Sequence, residues 1–509
     1  MWPVSSCNLP PGMVKHPPQT SGRRIMATAI QQDIAGETAR MHEVLAAQRA
    51  SFTAAMPESL AVRTDRLDRA IALLVDHAED FAKAVSEDFG HRSREQTLMT
   101  DILPSVNALK HAKKHMAAWS RGEKRKPTFP LGLLGAKAEV LYQPKGVVGV
   151  VAPWNFPIGM VFVPMAGILA AGNRAMVKPS EFTANVSALM ARLVPDYFDR
   201  NEMAVFTGDA EVGIAFSKLA FDHLIFTGAT GVGRHIMRAA ADNLVPVTLE
   251  LGGKSPTFIG RSADKALAGQ RVALGKMMNA GQICLAPDYL LVPEDQEGDV
   301  IDGVTKGVAA LYPTLLQNDD YTSVVNGRNY DRLQSYLADA REKGAEVIEV
   351  NPGQEDFSSA NGHKMPLHIV RNPTDDMKVM QEEIFGPILP VRTYRTIDEA
   401  IDYVNAHDRP LGLYYFGQDK SEEERVLTRT ISGGVTVNDV LFHNAMEDLP
   451  FGGVGPSGMG NYHGSDGFRT FSHARAVYRQ PRLDVAGLAG FKPPYGKATA
   501  KTLAKELKK

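Results

Sequence analysis

The stretch that decides the fold is "VVGVVAPWNFPIGMVFVPMAGILAAGNRAMVKPSEFT", Val147 to Thr183. A continuous apolar run over 147–151 reads as a buried strand. A loop bracketed by Pro153 and Pro157 follows, then a helical segment near 158–171, a second short strand "AMVK" over 175–178 and a second helix over 183–194. Apolar strands that alternate with helices mean a parallel sheet covered on both faces. Downstream the alternation continues, with strands "MAVF" (203–206), "HLIF" (223–226) and "VPVTLEL" (245–251) separated by helices near 211–219 and 232–241. After Gly253 a second alternation begins, with helical 264–280, strand "YLLV" (289–292) and a last strand "GGVTVND" (433–439). Upstream, apolar residues recur at helical spacing from Glu37 to about Trp119, with Leu67, Ile71, Leu74, Ala78, Phe81 and Val85 in one stripe. The turn-rich segment 124–145 between lead-in and first strand reads as a hairpin or arm.

These boundaries predict an α/β chain with a Rossmann-type cofactor domain over 37–123 and 146–252 and a second α/β, catalytic domain over 253–439. Residues 124–145 and 440–476 are expected to bridge or oligomerise, 1–36 to be a disordered leader, and 477–509 to be a C-terminal tail. With 44% hydrophobic and 22% charged residues, 509 residues suffice for two or three cores. A net charge of -2 gives no reason to expect nucleic acid or an anionic membrane as partner. No apolar run approaches the roughly 20 residues needed to span a bilayer. Two cysteines, Cys7 in the leader and Cys284 in the body, fit a reducing, cytoplasmic setting better than a disulfide framework.

The residue types that carry chemistry cluster at strand ends. Cys284, in "MMNAGQICLAPDYLLV" (277–292), is either a small buried hydrophobe or a nucleophile. Asn155, in the loop after the first strand, either caps the next helix or donates to a developing oxyanion. Lys178 and Glu181 in "VKPSEFT" either form a helix start with a capping box at Ser180 or bind ribose hydroxyls. In "FTGATGVGR" (226–234), Gly228, Gly231 and Gly233 lead a strand into a helix, so backbone N–H groups can approach a pyrophosphate; this is GxxGxG, not the GxGxxG fingerprint. Glu250 lies inside an apolar strand, where a carboxyl is either paired with a nearby Lys or Arg or raised in pKa to serve as a base near neutrality. The histidines show no metal-ligand spacing, and no metal is expected.

Taken in order, "PWNFP", "KPSE", "FTGATGVG", "LELGGKSP", "GQIC", "EEIFGP" (382–387) and "PFGG" (450–453) resemble the aldehyde dehydrogenase superfamily from about Glu37 to Arg475. "CLAPDYLLV" and "LPFGGVGPSGMGNYHG" are most similar to its class 3 branch, and within that to coniferyl aldehyde dehydrogenases. One departure is Ala229, where many members carry Ser or Thr. The resemblance implies NAD(P)-dependent oxidation of a coniferaldehyde-like aromatic aldehyde to its acid, with NAD the expected cofactor and NADP accepted. Cys284 would be the nucleophile, Asn155 the oxyanion donor and Glu250 the base for thioester hydrolysis. Glu383 and Phe385 would contact the nicotinamide ribose and ring, and Trp154, Lys178, Glu181, Gly228 and Gly233 the rest of the cofactor. Three alternatives stand beside it: a medium- or long-chain fatty aldehyde substrate, an acyl-CoA-forming member, and an idle member kept for binding. The family also implies a homodimer whose only other partner is the small-molecule aldehyde. Residues 155–160, Tyr289 and "VLFHNAMED" (440–448) are candidates for the substrate tunnel.

Overall fold

The computed structural model describes residues 21–508 apart from 130, 360 and 361, so Cys7 lies outside the described residues. The first helix, Ser21–Ala55, begins inside the stretch read as a leader. No proline interrupts the sequence between Pro18 and Pro57, and its Ala, Gln, Arg and Met content favours a helix. The helix is tied to the body by Gln48, fully buried, whose amide donates to the carbonyls of Ala175 (3.0 Å) and Arg200 (2.9 Å). The stripe from Leu67 to Val85 belongs to two helices, Leu60–Asp76 and Ala78–Phe89, broken at His77. Its apolar residues still face one core, because the break leaves their spacing in phase.

The alternation read from 147–251 forms a six-stranded sheet in the order Gly458–Met459, Val247–Leu251, His223–Gly228, Val147–Val151, Arg174–Lys178, Met203–Val205. The last five are parallel and Gly458–Met459 pairs antiparallel. From Val147–Val151 the chain steps outward through two strands on one side, then returns to build on the other. The topological switch therefore falls between Val147–Val151 and His223–Gly228, where the loops leaving the strand ends part to form a crevice. The helix Gly159–Ala171 is apolar all round because it is packed between the sheet and the helices Leu60–Asp76, Leu103–Trp119 and Gly464–Thr470.

A second sheet has seven strands in the order Glu346–Val350, Leu367–Arg371, Ile388–Tyr394, Tyr289–Pro293, Pro256–Ile259, Gly412–Phe416, Gly434–Val437, all parallel except the first. Separate apolar clusters cover its two faces. Gly434–Val437 is an edge strand but not the last of the chain. Ser472–Arg479 pairs in eight-residue register with Lys137–Pro144, which also pairs with Glu123–Arg125, so the expected arm is a three-stranded sheet completed from the C-terminal side. The end of the chain carries two short helices, Val485–Leu488 and Lys497–Glu506. Among the described residues no helix is long and apolar enough to cross a membrane.

Candidate active site

A cleft of ≈ 940 Å³ lies against the carboxyl ends of the first sheet, at its switch point, and is closed on the other side by residues of the second. Asn155 from the loop after Val147–Val151, Gly228 from the end of His223–Gly228, Glu250 from Val247–Leu251 and Cys284 from the loop before Tyr289–Pro293 all line it.

Cys284 is a free thiol, half-buried in the cleft wall. A tight bend delivers it: Asn279 and Ala280 both have φ of 51°, a left-handed conformation that costs non-glycine residues about 1 kcal/mol or more each. Glu250 lies in register between Thr227 and Gly458 of the adjacent strands. Gly458 has φ of 144°, and a Cβ there would stand 2.2 Å from the Leu249 carbonyl oxygen, so only glycine lets this strand close over Glu250. Among the described residues no Lys or Arg pairs with Glu250, and its Oε1 has no hydrogen-bond partner. Burial pushes its carboxyl up to about 8, with a contact to the Cys284 thiol pulling the other way. The thiol is itself raised by burial and by the Glu250 and Glu383 carboxyls. At neutral pH both groups hold their protons, and either can be ionised only by passing its proton onward.

Asn155 is buried and caps nothing: the helix Gly159–Ala171 has Ile158 at its N-cap with no side-chain bond. Its amide donates to the Gln282 carbonyl at 3.2 Å, two residues from Cys284, which leaves a second N–H. Its own carbonyl accepts from Arg92 (2.9 Å) and Asn279 (3.2 Å). Sequence reasoning missed these last two residues, along with Gln282.

The other expected residues divide into two groups. Trp154, Gly228, Glu383 and Phe385 line the cleft with the three above. Phe385, at a left-handed φ of 50°, packs its ring edge-on to Trp154 with centroids 5.3 Å apart. Glu383 approaches the turn after Leu251 so closely that a Cβ on Gly252 would sit 2.0 Å from its Oε2. Burial, followed by the charge of Asp288, pushes Glu383 up to about 8, and its Oε1 has no partner. Gly233, by contrast, faces Leu251, where a Cβ would meet the Leu251 side chain at 2.7 Å; it seats the helix Thr230–Ala241 on the sheet, while Gly231, with open space around it, lines the cleft. Lys178 and Glu181 lie outside the cleft lining. Lys178 is buried, donates to the Pro179 carbonyl at 2.8 Å and stands 3.7 Å from the half-exposed Glu181. The capping box does not form: the helix begins at Ala184, after Thr183, and the Ser180 hydroxyl instead accepts from the Phe182 N–H. Of the tunnel candidates, Met160 and Tyr289 line the cleft and 440–448 does not. Among the described residues no group of three or more His, Cys, Asp or Glu is placed to hold a metal ion.

Known proteins with the same pattern exist. A "Probable coniferyl aldehyde dehydrogenase" of Caulobacter vibrioides is 57% identical over 470 residues, 92% of this chain and 97% of the relative. A "Coniferyl aldehyde dehydrogenase" of a Pseudomonas species is 57% identical over 442 residues, covering 87% and 91%. The solved structure described as the substrate-bound state of Staphylococcus aureus AldH matches with a TM-score of 0.84 at 35% identity, covering 91% of this chain and 99% of that one. The model of the aldehyde dehydrogenase family matches residues 25–477, and with a thiol, a buried carboxyl and an amide converging at the switch point, the chain belongs to that family.

Proposed function

We propose that this aldehyde dehydrogenase oxidises a phenylpropenal of the coniferaldehyde type to its carboxylic acid, with Cys284 as nucleophile, Asn155 as oxyanion donor and Glu250 as general base. The observation that carries the residue roles is the juxtaposition of an unpaired, fully buried Glu250 carboxyl with the only cleft thiol among the described residues. A carboxyl with no cation beside it keeps the high pKa that lets it take a proton near neutrality. The Cys284 thiol gives up its proton to solvent in the cleft, and its sulfur adds to the aldehyde carbon. The free N–H of the Asn155 amide and the Cys284 backbone N–H hold the oxyanion that forms. The dehydrogenase uses NAD(P), which when bound accepts the hydride released as this thiohemiacetal collapses. A thioester remains on Cys284, and Glu250 deprotonates the water that hydrolyses it, freeing acid and thiol.

The residues fit a dinucleotide on their own chemistry. The helix Thr230–Ala241 starts at the cleft with no side chain capping its first N–H groups, which suits a pyrophosphate, and the free Oε1 of Glu383, whose carboxyl is held by the Gly253 backbone N–H, suits ribose hydroxyls. Glu181 would accept from an adenosine 2′-OH and repel a 2′-phosphate, so NAD is preferred. A kcat/KM for NADP equal to or above that for NAD would refute this preference. We assign 37–123 with 146–252 to cofactor binding and 253–439 to catalysis, following the two large sheets.

The phenylpropenal reading is supported by the names of the two bacterial relatives. Measuring kcat/KM for coniferaldehyde, octanal and acetaldehyde tests it. Coniferaldehyde should lead; an octanal lead of tenfold, about 1.4 kcal/mol in transition-state binding, would turn the assignment to fatty aldehydes. Added coenzyme A should leave the rate and the free-acid product unchanged.

A further inference from the structure

A fully buried ion pair lies behind the cleft and takes no part in the reaction described above. Arg92 and Asp101 both have completely buried side chains, with Nη2 and Oδ2 3.1 Å apart. Both come from the helical lead-in, which contributes no cleft-lining residue among those described. Asp101 lies on a single π-helical turn, Leu98–Ile102, inserted between the helices Arg94–Thr97 and Leu103–Trp119. Such insertions shift side-chain direction within a helix and are frequent at functional sites.

Both members of the pair grip the same five-residue loop. Arg92 donates to the Asn155 carbonyl at 2.9 Å, and its guanidinium stands between the Phe89 and Phe156 rings, 5.4 Å and 5.1 Å from their centroids. One carboxylate oxygen of Asp101 accepts from the N–H groups of Ile158 (3.2 Å) and Gly159 (2.6 Å). Asn279 joins the loop to the cysteine segment: its amide donates to the carbonyls of Asn155 (3.2 Å) and Gln282 (3.1 Å). Gln96, at the outer edge, holds Asn279 through Nε2 to Oδ1 (3.3 Å) and through Oε1 from the Asn279 N–H (3.2 Å). The Asn155 carbonyl thus has both lone pairs engaged, and the segments bearing the amide and the thiol are fixed to one frame.

We propose that Arg92 and Asp101 are positioning residues of the oxyanion site: their buried pair clamps residues 155–159 so that the Asn155 amide keeps its aim at the oxygen of the carbonyl Cys284 attacks. The inference rests on the oxyanion role proposed for Asn155. A charge pair is costly to bury, and simple packing of this loop needs only apolar contacts. What the pair adds is direction, through three bonds to the backbone from the Asn155 carbonyl to the Gly159 N–H. Catalytic geometry tolerates little error, and a displacement of about 1 Å costs on the order of a hundredfold in rate.

Arg92→Met would strand Asp101 in the core, so the test uses Arg92→Lys, which keeps the charge but loses the fork, and Gln96→Leu, which strands no charge. Each is made in the wild-type and Asn155→Ala backgrounds, with kcat/KM for octanal and for coniferaldehyde, the Kd for NAD and the melting temperature measured. Asn155→Ala alone should lower kcat/KM by on the order of a hundredfold. Arg92→Lys should lower it by about ten- to a hundredfold and Gln96→Leu by several-fold, with the Kd for NAD unchanged. In the Asn155→Ala background both effects should shrink to less than about twofold, since a clamp has nothing left to aim. Equal losses in the two backgrounds, or no loss from either variant in the wild type, would overturn the proposal. A wild-type rate for Asn155→Ala would overturn the oxyanion reading beneath it. Should Arg92→Lys not accumulate as folded protein, Thr100→Val, which removes the hydroxyl accepting from Arg92 Nη2 (2.9 Å) and strands no charge, decides the question in the same two backgrounds.

Discussion

Hydrolysis of the Cys284 thioester should depend on pH through Glu250 alone. An ordinary glutamate is fully ionised at pH 7, whereas burial raises Glu250 to about 8. The ionised fraction is then about 0.1 at pH 7 and about 0.9 at pH 9, a tenfold rise in competent base. Acylation of Cys284 removes the thiol contact that pulls the carboxyl down, so the midpoint in the acyl-enzyme lies at about 8 or above. The assay forms the thioester by rapid mixing of enzyme, cofactor and aldehyde, then follows release of the acid between pH 6 and 9.5. Glu383 is also raised to about 8, so Glu383→Gln is the control. The tenfold rise should persist in Glu383→Gln and vanish in Glu250→Gln, which should release about one equivalent of reduced cofactor and stall. A flat profile between pH 7 and 9 in the wild type, or the same rise in Glu250→Gln, would refute the reasoning.

Other outcomes follow from the same geometry. Cys284→Ala should abolish oxidation while leaving cofactor affinity and melting temperature near wild type, as checked by titration and calorimetry. Glu250→Gln should be more stable than wild type above pH 4.5: the folded carboxyl keeps its proton to about 8 while the unfolded one loses it near 4.5, so the unfolded state binds fewer protons across that window. Stability of the wild type therefore falls with rising pH, and the variant should gain about 3 kcal/mol at pH 7 in denaturant titrations. Gly458→Ala, whose Cβ would meet the Leu249 carbonyl, should cost about 2 kcal/mol or more and lower kcat by displacing the Glu250 strand. Light scattering at micromolar concentration should give a dimer, formed through the exposed sheet of 123–144 with 472–479 and the edge strand Gly434–Val437.

The first sheet was legible because its strands are buried on both faces and so read as unbroken apolar runs. Strand ends then bring Asn155 and Gly228 forward as candidates, since a parallel sheet opens its ligand crevice there, and Glu250 stands out as an acid inside an apolar strand; the order of the seven motifs, more than any one of them, set these readings above capping and ion pairing. Arg92, Asp101, Asn279 and Gln282 were illegible for the opposite reason. A charged residue in a helical segment ordinarily faces solvent, and nothing in "HRSREQTLMTD" tells Arg92 and Asp101, both buried, from Arg94 and Glu95, which are exposed. The π-helical turn carries Asp101, and a π insertion leaves no signature in hydrophobic spacing, while Arg92 lies in the irregular stretch just before the helix Arg94–Thr97. Gly233 carried the right residue type for a different purpose, since close approach to Leu251 and to a pyrophosphate both demand a missing side chain. Glu181 and Lys178 matched a capping pattern that the chain does not use, because Pro179 holds Lys178 extended and the helix waits for Thr183.

The late strands Gly458–Met459 and Ser472–Arg479 bear on how the protein is made. The first closes the edge of Glu250's strand, and the second pairs with residues translated more than 300 positions earlier. Until the ribosome passes Met459 the first sheet has an open edge at Val247–Leu251, and until it passes Arg479 the strand Lys137–Pro144 is paired on one side only, with Glu123–Arg125. Pairings so distant in sequence are slow to form, and unpaired edges invite association between nascent chains. Maturation of the catalytic centre is thus postponed to the end of synthesis, and a chain interrupted after Gly433 would hold every residue of the thiol chemistry yet have no finished site in which to use it.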